Sequence, residues 1–231
     1  MIYPKTDDYA VLYARYFQRR PEELLALAGN IEGKKVIDIC GGNGRASKAA
    51  IKIGAKEVVL VDRSLNMIPH NLDPKIRVES TEVHNAFLTL ASFDVAICQQ
   101  AVNYWLDTYT VNLLCNSLAP NGIFIFNTFH NKPTKKPMIK EYEFEGRNYA
   151  EISWLTEIPI WKSTEELSQQ TKPVVHHVQV GEGLEPHTTQ FAWIEPDEFD
   201  RILTPYFNIE VTKTGLGNCF DKSTEICDNL R

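Results

Sequence analysis

An aspartate followed closely by three glycines is the feature of the sequence best suited to bind a ligand. In VIDICGGNGR, Asp38 lies among aliphatic residues and precedes Gly41, Gly42 and Gly44. Glycines let the backbone adopt positive φ and approach a ligand closely, while a carboxylate in an apolar run must find a partner. Asp62 ends the next apolar run and can accept hydrogen bonds from both hydroxyls of a ribose. The combination predicts a site for a dinucleotide or for an adenosyl cofactor.

The glycines alone do not decide between these two cofactors. The dinucleotide fingerprint is Gly-x-Gly-x-x-Gly at the start of a helix. Gly42 and Gly44 fit it, but Ser47 stands where the third glycine is expected. Asp62 serves either cofactor, so both remain open at this point.

The elements that must position these residues alternate between strand and helix. The strand signals are KKVIDIC, EVVLVD, KIRVES, FDVAICQQ and GIFIFNTF, and helix signals such as GRASKAAIKIG, SLNMIPH and LDTYTVNLLCNSLAPNG lie between them. Runs of Val and Ile separated by helices are typical of parallel strands covered on both faces. The sequence therefore predicts an α/β fold with a doubly wound, mostly parallel, Rossmann-like sheet. Ligands bind such sheets beyond the carboxyl ends of the strands, where Asp38 and Asp62 stand.

After Phe129 the pattern changes to the alternation typical of antiparallel strands, in YEFEGRNYAEISWLTEI, PVVHHVQVGEG and HTTQFAWI. The helix signal EPDEFDRILTPYF and the strand signal NIEVTKTG then resume the earlier cycle. The segment STEICDNL is polar, so a closing strand there is expected to be short, shifted or absent. We predict a single domain over 1–231, consisting of an N-terminal helical lid at 1–30, a cofactor-binding core at 31–130, an antiparallel insertion covering the substrate at 138–194 and a return to the core at 195–214.

Composition and charge narrow the class of protein. With 24 Lys and Arg against 30 Asp and Glu, the formal net charge of -6 disfavours nucleic-acid binding. No apolar run is long enough to cross a bilayer, and the N-terminal residues lack the order of a signal peptide. Five cysteines without a CxxC pair indicate reduced thiols, and no Cys and His residues stand at metal-ligand spacing. We expect a cytoplasmic protein without a bound metal.

Four motifs together make the chain resemble the class I S-adenosylmethionine-dependent methyltransferases, most clearly from about residue 8 to residue 130. VIDICGGNGR looks like the first motif of that family, and VVLVDRSLNMI looks like the second. SFDVAICQQAVNYWL resembles its fourth strand with the following loop, and LAPNGIFIFNTF resembles its fifth-strand motif. The resemblance implies S-adenosyl-L-methionine as cofactor and S-adenosyl-L-homocysteine as product.

The resemblance also implies roles for individual positions. Asp38 would hold the amino group of the methionine part of the cofactor, and Asp62 would accept the ribose hydroxyls. Ser64 and Met67 would lie near the adenine, and Glu82 would accept a hydrogen bond from the adenine amino group. The whole cofactor-binding set implied in this way is Asp38, Cys40, Gly41, Gly42, Gly44, Asp62, Arg63, Ser64, Met67, Glu82, Val83, Cys98, Gln99 and Gln100.

Cys40 stands where this family commonly has glycine. It follows an apolar strand and has acidic residues nearby, and both features suppress formation of a reactive thiolate. We therefore interpret Cys40 as a packing residue at a position that must be small.

The acceptor is expected to be a small molecule methylated on nitrogen or oxygen. Tyr104 and His130 follow the fourth and fifth strands and are the candidate catalytic residues. The candidates for lining the substrate pocket are Tyr9, Tyr13, Asn103, Trp105 and Trp193. An aromatic-rich insertion suits a small organic acceptor, and it is also the expected contact of a homodimer.

Three alternatives use the same cofactor site. The first is a cyclase-like or decarboxylase-like enzyme that uses the cofactor without methyl transfer, because a fold does not fix a reaction. The second is a regulatory protein that binds the cofactor without catalysis. The third is a methyltransferase acting on a protein or peptide, whereas the net charge disfavours one acting on nucleic acid.

Overall fold

A computed structural model describes the chain over residues 21–128, 133–144, 146–159, 171–213 and 223–229. The chain divides into two compact units. The larger unit comprises residues 18–130 and 196–231, and the smaller unit includes residues 131–195. Each unit contains one β-sheet, which is mostly parallel in the larger unit and antiparallel in the smaller one.

Eleven strands form the two sheets in the described residues. They are β1 (Lys35–Ile39), β2 (Glu57–Val61), β3 (Ile76–Glu79), β4 (Phe93–Gln99), β5 (Leu118–Asn127), β6 (Met138–Phe144), β7 (Arg147–Pro159), β8 (Thr171–Gly181), β9 (His187–Ala192), β10 (Phe207–Lys213) and β11 (Ser223–Asn229). The larger sheet has the order β10-β11-β5-β4-β1-β2-β3, and the smaller has the order β6-β7-β8-β9.

The larger sheet is parallel through β5, β4, β1, β2 and β3. Its central strands are apolar because helices cover both faces. Val36, Ile37 and Ile39 of β1 are completely buried, as are Val58 and Leu60 of β2. Burying each such side chain stabilises the fold by roughly 1.5–3 kcal/mol relative to leaving it exposed. The predicted doubly wound, Rossmann-like fold is confirmed.

The helices connect and flank these strands. They are α1 (Pro21–Leu25), α2 (Arg45–Lys52), α3 (Val83–Thr89), α4 (Thr108–Ser117) and α5 (Pro196–Leu203), with 3-10 turns at Ala26–Ala28, Leu65–Met67 and Val102–Tyr104. The side chain of Asp107 caps α4 by accepting a hydrogen bond from the Thr110 backbone N–H at 2.8 Å. None of the helices in the described ranges is both long and apolar enough to cross a membrane.

One helix and one strand boundary were missed by the sequence analysis. Helix α3 is short, and its His, Asn and Thr residues are poor helix formers. It is held by tertiary packing, because Val83, Ala86 and Phe87 are buried at helical spacing. Strand β5 begins at Leu118, before the Gly122 expected from the sequence, because Leu118 pairs with Phe93 of β4.

The expectation that the last strand would be short, shifted or absent is wrong. Strand β11 runs antiparallel between β10 and β5, pairing with the first over seven positions and with the second over five. Its polar sequence gave a weak strand signal. The backbone N–H and C=O groups of an interior strand form hydrogen bonds with the strands on both sides. The hydrophobicity of the side chains does not reflect this stabilisation.

The smaller unit contains the predicted antiparallel insertion, which precedes the last helix, α5. Its four strands pair in chain order, with Tyr149 opposite Gly181 and Glu151 opposite Gln179. One face of this sheet is buried, including Leu155 and Val175. The N-terminal segment assigned to a helical lid lies largely outside the described residues, and the division into lid, core, insertion and return stays a prediction.

An aromatic cluster forms part of the core of the larger unit. The Phe124 ring stacks on Phe126 with centroids 4.9 Å apart, and it lies 5.8 Å from Trp105 and 6.2 Å from Phe207. Phe124 is completely buried. The cluster therefore ties β5 to β10 and to the segment after β4.

Replacing Phe124 by alanine should lower the free energy of unfolding by about 3–5 kcal/mol, because it removes both the burial and the ring contacts. Urea unfolding followed by circular dichroism measures this change. Leu88→Ala is the control, since Leu88 is 59% exposed and should change the value by no more than about 0.5 kcal/mol. Equal effects of the two substitutions would contradict the placement of Phe124 in the core.

Candidate functional site

The candidate site lies at the carboxyl ends of β1, β2 and β4, where β1 is the middle strand of the three. Asp38 of β1 pairs in register with Leu60 of β2 on one side and with Ile97 of β4 on the other. Residues that follow parallel strands meet at one edge of the sheet. The glycine turn after β1 therefore opens between the ends of its two neighbours.

Asp38 is a buried carboxylate at the base of this site. Its side chain is 1% exposed, and its Oδ2 accepts hydrogen bonds from the Ser47 backbone N–H at 3.0 Å and the Ser47 hydroxyl at 2.6 Å. Burial raises the pKa of Asp38 to about 6, although the bonds from Ser47 oppose that rise. Both bonds end on Oδ2, which leaves Oδ1 to meet a cationic group of a ligand.

Ser47 is a site residue whose role the sequence analysis missed. It lies in the first turn of α2 and is completely buried. Ser47 occupies the position at which the dinucleotide fingerprint requires glycine. Its hydroxyl has a role there that glycine could not fill, because it donates a hydrogen bond to Asp38. The signal in the sequence was a small hydroxyl residue beside a buried carboxylate that needed a donor.

The turn after β1 requires glycine for two different reasons. A Cβ on Gly41 would lie 2.8 Å from Cγ and Oδ2 of Asp38 and from Cγ of Leu60, which is too close for any side chain. Gly42 has φ +50, in the left-handed region that favours glycine. The backbone of the turn therefore lies against Asp38 at Gly41, where there is no room for a side chain.

Cys40 also adopts a left-handed conformation, with φ +55. Small size is therefore only one of two constraints on the residue at position 40. The left-handed backbone conformation is the second, and it also favours glycine. Burial raises the pKa of the Cys40 thiol well above its usual range, and the nearby Cys98 and Asp62 add to the rise. The thiol is protonated at neutral pH and is a poor nucleophile.

Asp62 follows β2 and holds the backbone on two sides. Its Oδ2 accepts from the Gly42 N–H at 2.9 Å, and its Oδ1 accepts from the Ser64 N–H at 2.8 Å. Burial raises the pKa of Asp62, and these two hydrogen bonds lower it in part. Each oxygen receives one backbone bond and retains a lone pair, so the carboxylate can still accept from two hydroxyls.

Arg63 and Glu82 form an ion pair at 3.3 Å beside Asp62. Their side chains are 39% and 50% exposed, so the pair is worth little by itself. Glu82 is also the residue that precedes α3. Its carboxylate therefore faces Arg63, and its expected contact with an adenine amino group stays a prediction.

Met67 supplies apolar surface beside the glycine turn, and Val83 is the first residue of α3. Both are buried, at 9% and 7% exposure. The Met67 methyl group lies 3.6 Å from the position that a Cβ on Gly42 would take. A flat apolar group beside the turn would thus meet a polarizable thioether.

The end of β4 carries the remaining residues of the predicted cofactor set. Cys98 is buried and accepts a hydrogen bond from the Trp105 indole N–H at 3.4 Å, and burial raises the pKa of its thiol to about 12. Gln99 is the last residue of the strand and is half-buried. Gln100 follows it with φ +63, and the Asn127 side-chain oxygen accepts the Gln100 backbone N–H at 2.7 Å.

The candidate acceptor residues have different surroundings. Asn103 is 4% exposed, and its side-chain oxygen accepts from the Thr128 hydroxyl at 2.7 Å. Trp105 is half-buried and packs edge-on against Phe87 with ring centroids 6.1 Å apart, and its predicted place in the substrate pocket stays a prediction. Tyr104 is half-buried in the 3-10 turn after β4. Tyr9, Tyr13 and His130 lie outside the described residues.

In the smaller unit, the candidate Trp193 and the histidine His187 are buried, whereas His176 is half-buried. Trp193, just after β9, is 4% exposed, and its backbone N–H donates to the Pro173 carbonyl at 2.9 Å. His187 is 2% exposed, and burial lowers its pKa to about 4, so it is neutral above that pH. His176 stacks on Trp154 with ring centroids 5.0 Å apart.

The residues of the larger unit fit an adenosyl cofactor better than a dinucleotide. Neither bond from Ser47 ends on Oδ1 of Asp38, and a carboxylate there suits an ammonium and would repel the pyrophosphate of a dinucleotide. Asp62 retains acceptor capacity for the two ribose hydroxyls. Ser47 holds Asp38 where the fingerprint would place a glycine against the pyrophosphate.

Comparison with known proteins agrees with this geometry. A family model described as a methyltransferase domain matches residues 13–170. The ubiquinone biosynthesis O-methyltransferase of Bordetella avium is 28% identical over 121 residues, covering 49% of this chain and 50% of that protein. The protein of the same name from Paraburkholderia phymatum is 30% identical over 112 residues, covering 46% and 48%. The chain thus spans about half the length of the curated relatives it matches.

Solved structures of similar fold cover nearly the whole chain. An amino pentose methyltransferase from Micromonospora echinaspora, solved with S-adenosylmethionine bound, has a TM-score of 0.67 and 15% identity over 99% of this chain and 98% of its own. A sugar N-methyltransferase from a Streptoalloteichus species has a TM-score of 0.65 and 12% identity over 100% and 97%. Because the family model covers more than half of the sequence, the chain belongs to the methyltransferase domain family.

Proposed function

We propose that this protein transfers the methyl group of S-adenosyl-L-methionine to a nitrogen or oxygen of a small-molecule acceptor. The observation that carries the proposal is the pair of carboxylates, Asp38 and Asp62, on either side of the glycine turn at adjacent strand ends. The names of similar proteins support a small acceptor, since they include a ubiquinone biosynthesis O-methyltransferase and a sugar N-methyltransferase.

Asp38 and Asp62 would hold opposite ends of the cofactor. The free Oδ1 of Asp38 would pair with the ammonium of the methionine part, and the opposite charge would stabilise the ionised form of this buried carboxyl. The two oxygens of Asp62 would accept the ribose hydroxyls, while their bonds to Gly42 and Ser64 fix the direction of the carboxylate. Met67 and Val83 would cover a face of the adenine.

The cofactor supplies an electrophilic methyl group on a positively charged sulfur. The chain needs to align an acceptor lone pair behind that methyl group and to exclude water. Near the ends of β4 and β5, Asn103 and Asn127 supply amides and Thr128 supplies a hydroxyl. All three residues are buried. Neutral groups of this kind orient an acceptor without competing for its proton. Tyr104 and His130 stay the predicted catalytic residues.

Two further expectations from the sequence belong to this proposal. A homodimer contact through the insertion is supported by β6, which lies at the edge of the smaller sheet. Met138 and Ile139 on that strand are 37% and 65% exposed, and exposed apolar residues on an edge strand favour association. A cytoplasmic location also stays a prediction.

Methyl transfer can be tested directly with cofactor labelled on its methyl group. The protein is incubated with this cofactor and, separately, with a low-mass metabolite extract, a peptide digest and total RNA. Label should appear in the low-mass fraction and be lost from Asp62→Ala. Label in the peptide or RNA fraction would contradict the small acceptor, and binding of cofactor without transfer to any fraction would favour a regulatory protein.

Asp62→Asn should weaken the binding of S-adenosyl-L-homocysteine at least tenfold, because a neutral amide replaces the charged acceptor of the ribose hydroxyls. Isothermal titration calorimetry measures the dissociation constant. Asp73→Asn is the matched control, because exposed Asp73 accepts the Lys75 backbone N–H at 2.8 Å in the same way that Asp62 accepts that of Ser64. Equal affinities of the two variants would rule out the proposed role of Asp62.

The raised pKa of Asp38 predicts two opposite dependences on pH. The folded, ligand-free protein holds the Asp38 proton more tightly than the unfolded chain does. Protonated Asp38 therefore contributes up to about 3 kcal/mol to the free energy of unfolding below pH 4. This contribution is lost as pH rises through about 6. Affinity for S-adenosyl-L-homocysteine should instead rise about tenfold between pH 5 and pH 7, because only the ionised carboxylate pairs with the ammonium. Urea unfolding and calorimetry at each pH measure the two quantities.

Asp38→Asn is the control for both dependences, since it cannot ionise. It should bind the ligand weakly, with little change between pH 5 and pH 7. If the wild-type protein and Asp38→Asn show the same pH dependence of affinity, another group is responsible.

A further inference from the structure

Gln100 is held in an unfavourable backbone conformation at the end of β4. Its φ of +63 lies in the left-handed region, which is unfavourable for a residue other than glycine. The Asn127 side chain fixes this conformation by accepting the Gln100 backbone N–H at 2.7 Å. Such conformations persist where the surroundings impose them, and they cluster at functional sites.

The side chain of Gln100 is also unsatisfied. It is 6% exposed, and its amide nitrogen Nε2 is buried without a hydrogen-bond partner. A buried donor that leaves water without gaining a partner destabilises the fold. Among the described residues of the larger unit, no other buried side-chain nitrogen or oxygen lacks a partner. A strained backbone thus holds a donor where the protein itself makes no use of it.

The position of Gln100 in the sheet indicates which ligand group it would meet. Strand β4 lies directly beside β1, on the side opposite to β2. Ile97 of β4 is level with Asp38, so Gln100, three residues further along, follows the strand end at the level of the glycine turn after β1. Asp62 follows β2, on the far side of β1. A cofactor with its ribose at Asp62 and its ammonium at Asp38 would therefore direct the rest of its amino-acid group toward β4.

We propose that the Gln100 side-chain amide donates a hydrogen bond to the carboxylate of the methionine part of the cofactor. The ammonium and the carboxylate of that part share one carbon, so a group that binds the ammonium at Asp38 brings the carboxylate close to a second negative charge. An uncharged donor beside Asp38 offsets that repulsion without neutralising Asp38. This inference rests on the cofactor placement in the proposed function.

Three ligands separate the contributions of the two ends. S-adenosyl-L-methionine has both the ammonium and the carboxylate, its decarboxylated analogue keeps only the ammonium, and 5′-methylthioadenosine lacks both. Gln100→Met removes the amide donor at similar length and should weaken binding of S-adenosyl-L-methionine about tenfold. Affinity for the other two ligands should equal that of the wild-type protein in calorimetric titrations.

Gln100→Glu is the second variant, because it places a negative charge where the carboxylate would lie. It should lose more affinity for S-adenosyl-L-methionine than Gln100→Met and should bind the decarboxylated analogue at least as well as the wild-type protein. Gln190→Met makes the same chemical change at an exposed glutamine of the smaller unit and should leave all three affinities unchanged. Near-ultraviolet circular dichroism of each variant checks that it is folded.

The outcomes distinguish this inference from the proposed function. If the wild-type protein binds S-adenosyl-L-methionine and a folded Gln100→Met binds it equally well, the carboxylate is held elsewhere and the inference is overturned. If Gln100→Met weakens all three ligands equally, Gln100 supports the turn and does not contact the carboxylate. If the wild-type protein binds none of the three, the proposed function itself is wrong.

Discussion

The candidate cofactor site depends on one buried carboxylate, that of Asp38, which accepts hydrogen bonds from a residue at the start of the next helix. Asp38 would be costly in the centre of a parallel sheet if its charge were unpaired. Ser47 supplies two donors to a single oxygen, which fixes the carboxylate and joins β1 to α2. Gly41 must then pass within contact of Asp38, so the turn can carry no side chain there. The polarity of the site and the shape of the turn thus follow from the same interaction.

Much of the larger unit could be predicted because its strands are buried on both faces. Near-continuous apolar runs mark β1, β2, β4 and β5, and the parallel order follows from the helices between them. Helix α3 and strand β11 could not be found in this way, since their short or polar sequences are stabilised by neighbours distant in the chain. Sequence patterns report what a residue prefers, and these two elements are imposed by their surroundings.

The same distinction holds within the candidate site. Asp38, the glycines and Asp62 could be assigned because each stands at a strand end with an unusual residue type. The left-handed conformations of Cys40 and Gln100 could not, because neither residue type favours positive φ. The contacts of Trp105 with Phe87 and Phe124 could not be predicted from its residue type either, and its place in a substrate pocket stays a prediction. Residue type predicts chemistry better than it predicts the direction of a side chain.

Strand β11 has a consequence for the order in which the protein can form. It fills the gap between β5 and β10, and Thr224 pairs with Asn127, the residue that fixes Gln100. Until residues 223–229 have been synthesised, β5 has an unpaired edge. The backbone N–H and C=O groups of this hydrophobic strand are then open to pairing with other chains. The same strand therefore protects the edge of β5 against aggregation and pairs with the residue that fixes Gln100.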